Sequence, residues 1–452
     1  MNIAFYTLGC KVNQYETQLM TEQFRAAGYH TVDAEEAADI YVVNTCTVTR
    51  MADRKSRQYI RRMKRKNPDC VTVVLGCYSQ ISPEEVQAMP EVDLICGTNE
   101  KGRVVDYVER FLQDRVRRSY VLPREQMTEY DETGSITSVE SRTRAIIKIQ
   151  EGCDRFCSYC VIPYARGPVR SRAPQDVVKE AEHLLKQGFK ELVLAGINTA
   201  LYGKEAGFQE RYRKVLIDPE TGTIPEGVEG ILRLLNALPG DFRIRLSSLE
   251  PTVVDRNEAE RLLRYEKLCH HLHLSLQSGS DRILRTMNRR YDRNEYLEIV
   301  TALRTQDPGY GISTDMIVGF PGEREEEFQD SLDVVERVQY CKVHVFPYSR
   351  RPGTPAAEFP EQISPELKKM RGRILTACAE AASKQFFSRN CGQVRRVLFE
   401  EYEEERGLLT GYTDNYIKVY VSGDPGFCNR FAEVKLEETF EDGMRGTVLD
   451  KF

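Results

Sequence analysis

Residues 150–166 read QEGCDRFCSYCVIPYAR, which sets Cys153, Cys157 and Cys160 in a C-x3-C-x2-C array. Three thiolates so close along the chain have to converge on one side of one loop, where they share a metal centre without completing a four-cysteine set. A structural zinc site is closed by four ligands, and neither Cys nor His recurs in the twenty residues that follow. Soft thiolates also suit iron-sulfur clusters, and a 4Fe-4S cube held by three cysteines keeps one iron open to a small molecule. The missing fourth ligand favours the cluster over closed zinc. It also constrains the fold, because the preceding run TRAIIKIQEGC is a strand that carries Cys153 to its C-terminal end.

The chain has 452 residues and 41% hydrophobic content, enough for two to four domains with cores. No apolar run approaches the roughly 18–20 residues of a membrane span, so no membrane partner is expected. The opening MNIAFYTLGCKVNQYE lacks a basic region and a small-residue cleavage site, which places the chain in the cytoplasm by default. Thirteen cysteines in such a chain point to metal or redox chemistry more than to disulfides. The formal net charge of -5 does not mark a nucleic-acid binder, so the distribution of charge matters more than its sum.

Residues 1–118 alternate apolar runs with helical periodicity. NIAFYTL is followed by Val12, Tyr15, Leu19, Met20 and Phe24 at helical spacing, and further runs occur at ADIYVVNTCTV, CVTVVLGCYSQ and VDLIC. This predicts an α/β domain with a parallel sheet. Cys10, Cys46 and Cys77 each stand just past the end of a predicted strand, at the edge where ligands bind in open α/β sheets. They are expected to form a second three-cysteine site. Cys70 and Cys96 read as buried small hydrophobes. Between the second and third of these strands a predicted helix carries nine cations against Asp53 and Asp69. Arg61, Arg62, Lys64 and Arg65 are its candidate contacts to RNA phosphate, with a solvated helix face as the alternative.

Residues 119–141 turn polar and read as a linker. From 142 to 375, six apolar runs separated by helical segments predict a partial (β/α)6 barrel, with its active residues at the strands' C-terminal ends. Those ends offer Gly196 and Asn198, then Ser247, Ser248 and Glu250, then Ser275 and Gln277, then Gly319 and Gly322. Arg166, Arg170 and Arg172 suit either an anionic ligand or solvent. His270, His271 and His273 look like a metal tract, but strand alternation puts only His271 and His273 on one side, which favours a structural role. Residues 376–452 begin with a connecting helix and then shift to short alternating runs with Gly- and Asn-rich turns, predicting a small antiparallel β-barrel. Tyr412 and Tyr416 are candidates to stack on single-stranded nucleic acid. The run Glu400, Glu401, Glu403, Glu404 and Glu405 works against an electrostatic grip on RNA.

Taken together, GCKVNQYE at Cys10, VNTCTV at Cys46, LGCYSQ at Cys77 and EGCDRFCSYCVIPYARG resemble the methylthiotransferase family of radical S-adenosylmethionine (SAM) enzymes, over nearly the whole chain. The resemblance implies an N-terminal cluster domain, a radical SAM barrel and a C-terminal TRAM-like barrel. It implies two 4Fe-4S clusters, one on Cys153, Cys157 and Cys160 that cleaves SAM, and one on Cys10, Cys46 and Cys77 that presents sulfur. Tyr159, Gly196, Asn198, Ser247, Glu250 and Gln277 are the expected SAM contacts. Such enzymes attach a methylthio group to an unactivated carbon and need an electron donor and a sulfur source. The opening TLGCKVNQYET is most similar to the branch acting on N6-threonylcarbamoyladenosine beside the tRNA anticodon. The branches for isopentenyladenosine tRNA and for a ribosomal-protein aspartate are the alternatives, together with a non-catalytic RNA-binding iron-sulfur protein. The two clusters are expected to face one cavity.

Overall fold

A computed structural model describes residues 1–130, 134–136, 143–251 and 255–449. Part of the expected linker, 131–133 and 137–141, lies outside the described residues, as does residue 142. The first sheet is built from β1 (Asn2–Thr7), β2 (His30–Val32), β3 (Ile40–Thr45), β4 (Val71–Gly76), β5 (Leu94–Cys96) and β6 (Arg118–Tyr120). It runs β2-β1-β3-β4-β5-β6, and every pairing is parallel. β3 and β4 are buried at every residue and rich in Val, as strands covered on both faces should be. β2 and β6 were not expected. Each is three residues long, too short to show a period. β6 begins the stretch read as a linker, and its Tyr120 stacks on Tyr107 with 3.7 Å between ring centroids.

The strand order reverses at the β1/β3 pair, and at such a switch point the strand ends leave a crevice. Helix α1 (Lys11–Ala26) starts directly after Cys10 at the end of β1, and α2 (Arg50–Lys66) follows β3 and Cys46. The short α3 (Cys77–Ile81) starts on Cys77 itself.

The central unit opens with β7 (Arg144–Lys148). A two-residue antiparallel ladder, β8 (Gln150–Glu151) with β9 (Arg170–Ser171), then pinches the base of the cysteine loop. The parallel barrel continues through β10 (Glu191–Ala195), β11 (Arg243–Leu246) with its continuation β12 (Ser248–Leu249), β13 (His271–Leu274), β14 (Gly311–Val318) and β15 (Lys342–Pro347). Counting β11 and β12 as one strand interrupted at Ser247 gives six strands. The halves β7-β10-β11 and β12-β13-β14-β15 meet where Ile244 bridges Leu268.

After the 25-residue helix Pro365–Arg389, capped by Ser364, five strands close a barrel. They are β16 (Val394–Glu403), β17 (Leu408–Thr413), β18 (Lys418–Ser422), β19 (Phe431–Phe440) and β20 (Gly443–Val448). This barrel docks under the central one. Arg144 pairs with Glu400 at 2.6 Å, and Arg243 donates to the Tyr412 carbonyl at 3.0 Å. Arg245 donates to the carbonyls of Thr413 and Asp414, at 3.1 Å each. Part of the acidic character noted in the sequence therefore answers a basic floor on the neighbouring domain. The same docking corrects the reading of Tyr412 and Tyr416 as stacking platforms. Tyr416 stacks on His271 at 4.5 Å under Arg245, while Tyr412 stacks on Tyr416 and lies under Arg144. These ring faces are used within the chain.

Candidate active site

The N-terminal triad is assembled by three separate strand ends. Gly9 takes a left-handed φ of +112°, and a Cβ there would stand 2.9 Å from the Cys46 Cβ and 3.1 Å from its Sγ. A side chain at that position would press on the sulfur, so the turn that presents Cys10 beside Cys46 requires glycine. Cys77 Sγ accepts a hydrogen bond of 3.2 Å from Nε of Arg166, a residue of the central domain. The second triad lies in one loop. Gly152 takes a φ of +73°, and a Cβ there would run into the Pro168 carbonyl at 1.8 Å. Phe156, between the first two cysteines, also sits in the left-handed region. Arg289 Nη1 donates to Cys157 Sγ at 3.4 Å. Each triad therefore carries one arginine on one sulfur.

Burial pushes the Cys46 and Cys153 thiols up to about 12 and raises Cys77 and Cys160 as well. Uncoordinated, these groups stay protonated, and ligation must release the protons. Among the described residues only His273, Asp315 and His344 bring three metal-type ligand atoms all within 4.8 Å of one another. A set of three soft thiolates, with Cys46, Cys77 and Cys157 buried, fits an iron-sulfur cluster in each triad.

A charged network joins the triads. Arg166 is fully buried and pairs with Glu16 at 2.6 Å and Glu151 at 2.7 Å, while also bonding Asn13. Lys101 and Lys148 converge on the same Glu16, and Lys148 also meets Glu151. Burial works against the Glu16 carboxylate, yet Arg166, Lys101 and Lys148 hold its pKa well below the usual range. Three cations thus face two carboxylates, and the surplus positive charge lies against Cys77, where an anionic thiolate needs it. The sequence reading missed these partners. Asn13 and Glu16 share one face of α1 three residues apart, but their partners are 85 to 153 positions away.

Arg170 and Arg172 belong to the same interface. Arg170 reaches Asn99 at 2.7 Å, and Arg172 bonds Glu180 and the Tyr15 hydroxyl. Of the two readings for these arginines, neither a free anion site nor solvent applies; all three are buried between domains. Arg351, after β15, completes the contact by pairing with Asp53 at 2.7 Å.

Two cavities lie at this junction. One, of about 220 Å3, is walled by Tyr159, Cys160, Gln277, Asp315 and Phe346. The other, of about 580 Å3, runs from Cys10 and Lys11 past Gly196 and Ser247 to His271. Asp315 and Phe346 line both, so the spaces beside the two triads adjoin. Gln277 takes a φ of +74°, an uncommon conformation for a residue with a side chain and one that clusters at functional sites. Asn198 donates to Glu250 at 3.0 Å, and Glu250 also receives Arg155 at 2.8 Å and Arg289 at 3.4 Å. Tyr159 and Gln277 thus lie in the Cys160 cavity, Gly196 and Ser247 in the Cys10 cavity, and Asn198 with Glu250 in a polar ring near Cys153. His271 and His273 both bond the Ser313 hydroxyl at 2.9 Å, confirming that they share a side. Burial keeps the His271 imidazole well below its ordinary pKa, so it is neutral.

The basic helix α2 is more paired than its composition suggests. Arg62 meets Glu35 at 2.5 Å, Lys64 meets Asp93 at 3.2 Å and Arg61 approaches Glu91 at 3.7 Å. Arg65 bonds the Arg61 carbonyl. Exposed Arg50, Met51, Arg54 and Lys55 lie at its other end, next to Val48 and Thr49 at the Cys160 cavity.

Comparison with known proteins bears on this arrangement. Residues 2–97 match the uncharacterised protein family UPF0004, residues 147–335 the radical SAM superfamily, and residues 389–449 the TRAM domain. The chain is 40% identical to the threonylcarbamoyladenosine tRNA methylthiotransferase MtaB of Bacillus subtilis, covering 96% of this chain and 93% of that one. It belongs to the radical SAM methylthiotransferase family. Identity to the MtaB of Aquifex aeolicus is 38%, over 94% of this chain and 97% of that protein. A tRNA-2-methylthio-N(6)-dimethylallyladenosine synthase of Clostridium perfringens is 33% identical over 98% and 97%. Among solved structures, the radical SAM methyltransferase TsrM from Kitasatospora setae superimposes with a TM-score of 0.55 at 17% identity, covering 78% of this chain and 76% of that one, a likeness of fold. Radical SAM methylthiotransferases carry two 4Fe-4S clusters and use SAM, which the two thiol triads suit. No described helix is long and apolar enough to cross a membrane.

Proposed function

We propose that this chain attaches a methylthio group to carbon 2 of N6-threonylcarbamoyladenosine in tRNA. The observation that carries the reading is the pair of cavities that meet at Asp315 and Phe346, one beside Cys160 and one beside Cys10. A base placed there has one triad on either side. Cys153, Cys157 and Cys160 would hold the cluster that, once reduced, supplies the electron for cleaving SAM to methionine and a 5′-deoxyadenosyl radical. Cys10, Cys46 and Cys77 would hold the second cluster, whose open iron suits a sulfur ligand.

The chain's own contribution is ligation, orientation and exclusion of water. Tyr159 and Gln277 would wall the cofactor's adenine beside Cys160. The ring of Asn198, Glu250, Arg155 and Arg289 would orient its polar end. Gly196 and Ser247 would border the substrate side. Val161, Ile162, Ile317 and Phe346 give the Cys160 cavity apolar walls that keep water from a reactive carbon radical. Arg166 fixes the domains so that the triads stay opposed. Arg50, Arg54 and Lys55, rather than the paired Arg61, Arg62 and Lys64, would meet phosphate at the mouth. An external electron donor and a sulfur source complete the reaction, and the cytoplasm, where tRNA is found, is its expected location.

Mass spectrometry of tRNA nucleosides from cells with and without the protein tests the reading. Gain of a methylthio group on threonylcarbamoyladenosine is the expected result. Gain on isopentenyladenosine or on a ribosomal-protein aspartate would overturn the substrate assignment, and failure to form 5′-deoxyadenosine anaerobically would overturn the enzyme reading.

A further inference from the structure

An exposed cation with no protein partner among the described residues borders the cavity beside Cys10. Lys11, the first residue of α1, lines it, and no hydrogen bond or ion pair engages its ammonium among the described residues. The other charges on the wall are already met. Arg245 is held by Glu191 at 2.8 Å and by the Thr413 and Asp414 carbonyls, and Asp315 faces His273 Nε2 at 3.2 Å. His271 borders the same cavity and is 97% buried, with Nε2 on the Ser313 hydroxyl and its ring stacked on Tyr416. Lys11 is therefore the uncommitted charge in the space beside Cys10 among the described residues.

Chemistry identifies what would satisfy it. In adenine, carbon 2 and carbon 6, which bears the exocyclic N6, flank the same ring nitrogen, so a base that offers carbon 2 to the Cys10 triad would bring its N6 arm towards this cavity. A threonylcarbamoyl arm ends in a carboxylate and carries a hydroxyl and ureido groups. An alkenyl arm would cover the Lys11 ammonium without pairing it, a cost that discriminates against it.

We propose that Lys11 is the specificity-determining residue of this cavity, pairing with the carboxylate of the N6-threonylcarbamoyl arm. The assignment rests on the substrate proposed above. It is tested on reconstituted enzyme with two tRNAs, one carrying the native arm and one with its carboxylate masked as the methyl ester. Masking should lower kcat/KM of the wild type about 10- to 100-fold, the range for a charge-assisted hydrogen bond. Lys11→Met should lose a similar factor on the native arm, chiefly through KM, and lose nothing further on the masked one. Lys11→Arg should retain most of the native activity. Iron content should match wild type in both variants. Equal losses on both tRNAs, or no loss on the native one, would overturn the assignment; the first result would mean that Lys11 acts only through Cys10. A wild type that modifies neither tRNA would remove the substrate reading and this assignment with it.

Discussion

The two cysteine triads are built in opposite ways. Cys153, Cys157 and Cys160 occupy one short loop pinched at its base by the β8–β9 ladder, so local sequence is enough to bring them together. Cys10, Cys46 and Cys77 come from the ends of β1, β3 and β4 and meet only because these strands are neighbours in a parallel sheet that switches direction at β1/β3. One site is made by a loop, the other by a topology. The contrast teaches that the loop triad can persist wherever its loop is held, while the dispersed triad depends on a whole domain and on an arginine lent by its neighbour.

The largest effect should come from deleting each triad separately. Replacing Cys153, Cys157 and Cys160 by Ala should remove about half the bound iron and all 5′-deoxyadenosine formation, since three-cysteine clusters with an open iron are lost without their ligands. Replacing Cys10, Cys46 and Cys77 should remove a similar share of iron and all methylthio product but leave 5′-deoxyadenosine formation in place. Iron assays and product analysis separate the outcomes; unchanged iron in the second variant would end the comparison.

A smaller but still severe effect is expected at the joint. Arg166→Met leaves Glu16 and Glu151 short of a buried partner and should cost about 3–5 kcal/mol in urea denaturation of the apo chain. A loss under 1 kcal/mol would show that the two halves are less interdependent than the contacts imply. The mildest change is Tyr15→Phe, which removes a hydroxyl that bonds Glu180 at 3.0 Å across the domains and accepts from Arg172. It should cost about 1 kcal/mol with iron content unchanged, since this bond supports the docking and not the ligation.

How far the sequence could be read follows the same division. The loop triad is visible from spacing alone, and the dispersed triad became visible once each cysteine was placed after a predicted strand. The network around Arg166 was not visible, because nothing in YARGPVRSR indicates that its arginines face Glu16, Asn99 and Glu180 instead of water or a ligand. The basic helix misled for a related reason. Its charge run is local, but Glu35, Glu91 and Asp93, which answer three of its cations, come from loops whose positions only the folded sheet defines. Tyr412 and Tyr416 show the complementary case: aromatic residues in a small β-barrel suggest a nucleic-acid face until a neighbouring floor of Arg144, Arg243 and Arg245 is seen to take them.

The hydrogen bond from Arg166 to Cys77 also has a consequence for synthesis. A ribosome extends a chain at about 5–20 residues per second, so the sheet that carries Cys10, Cys46 and Cys77 is complete well before Arg166 emerges. Until then Glu16 lacks its guanidinium partner, and Cys77 has none beside it. The first domain thus gains the full set of buried contacts around Glu16 and Cys77 only when the segment holding Arg166 has followed it out of the exit tunnel.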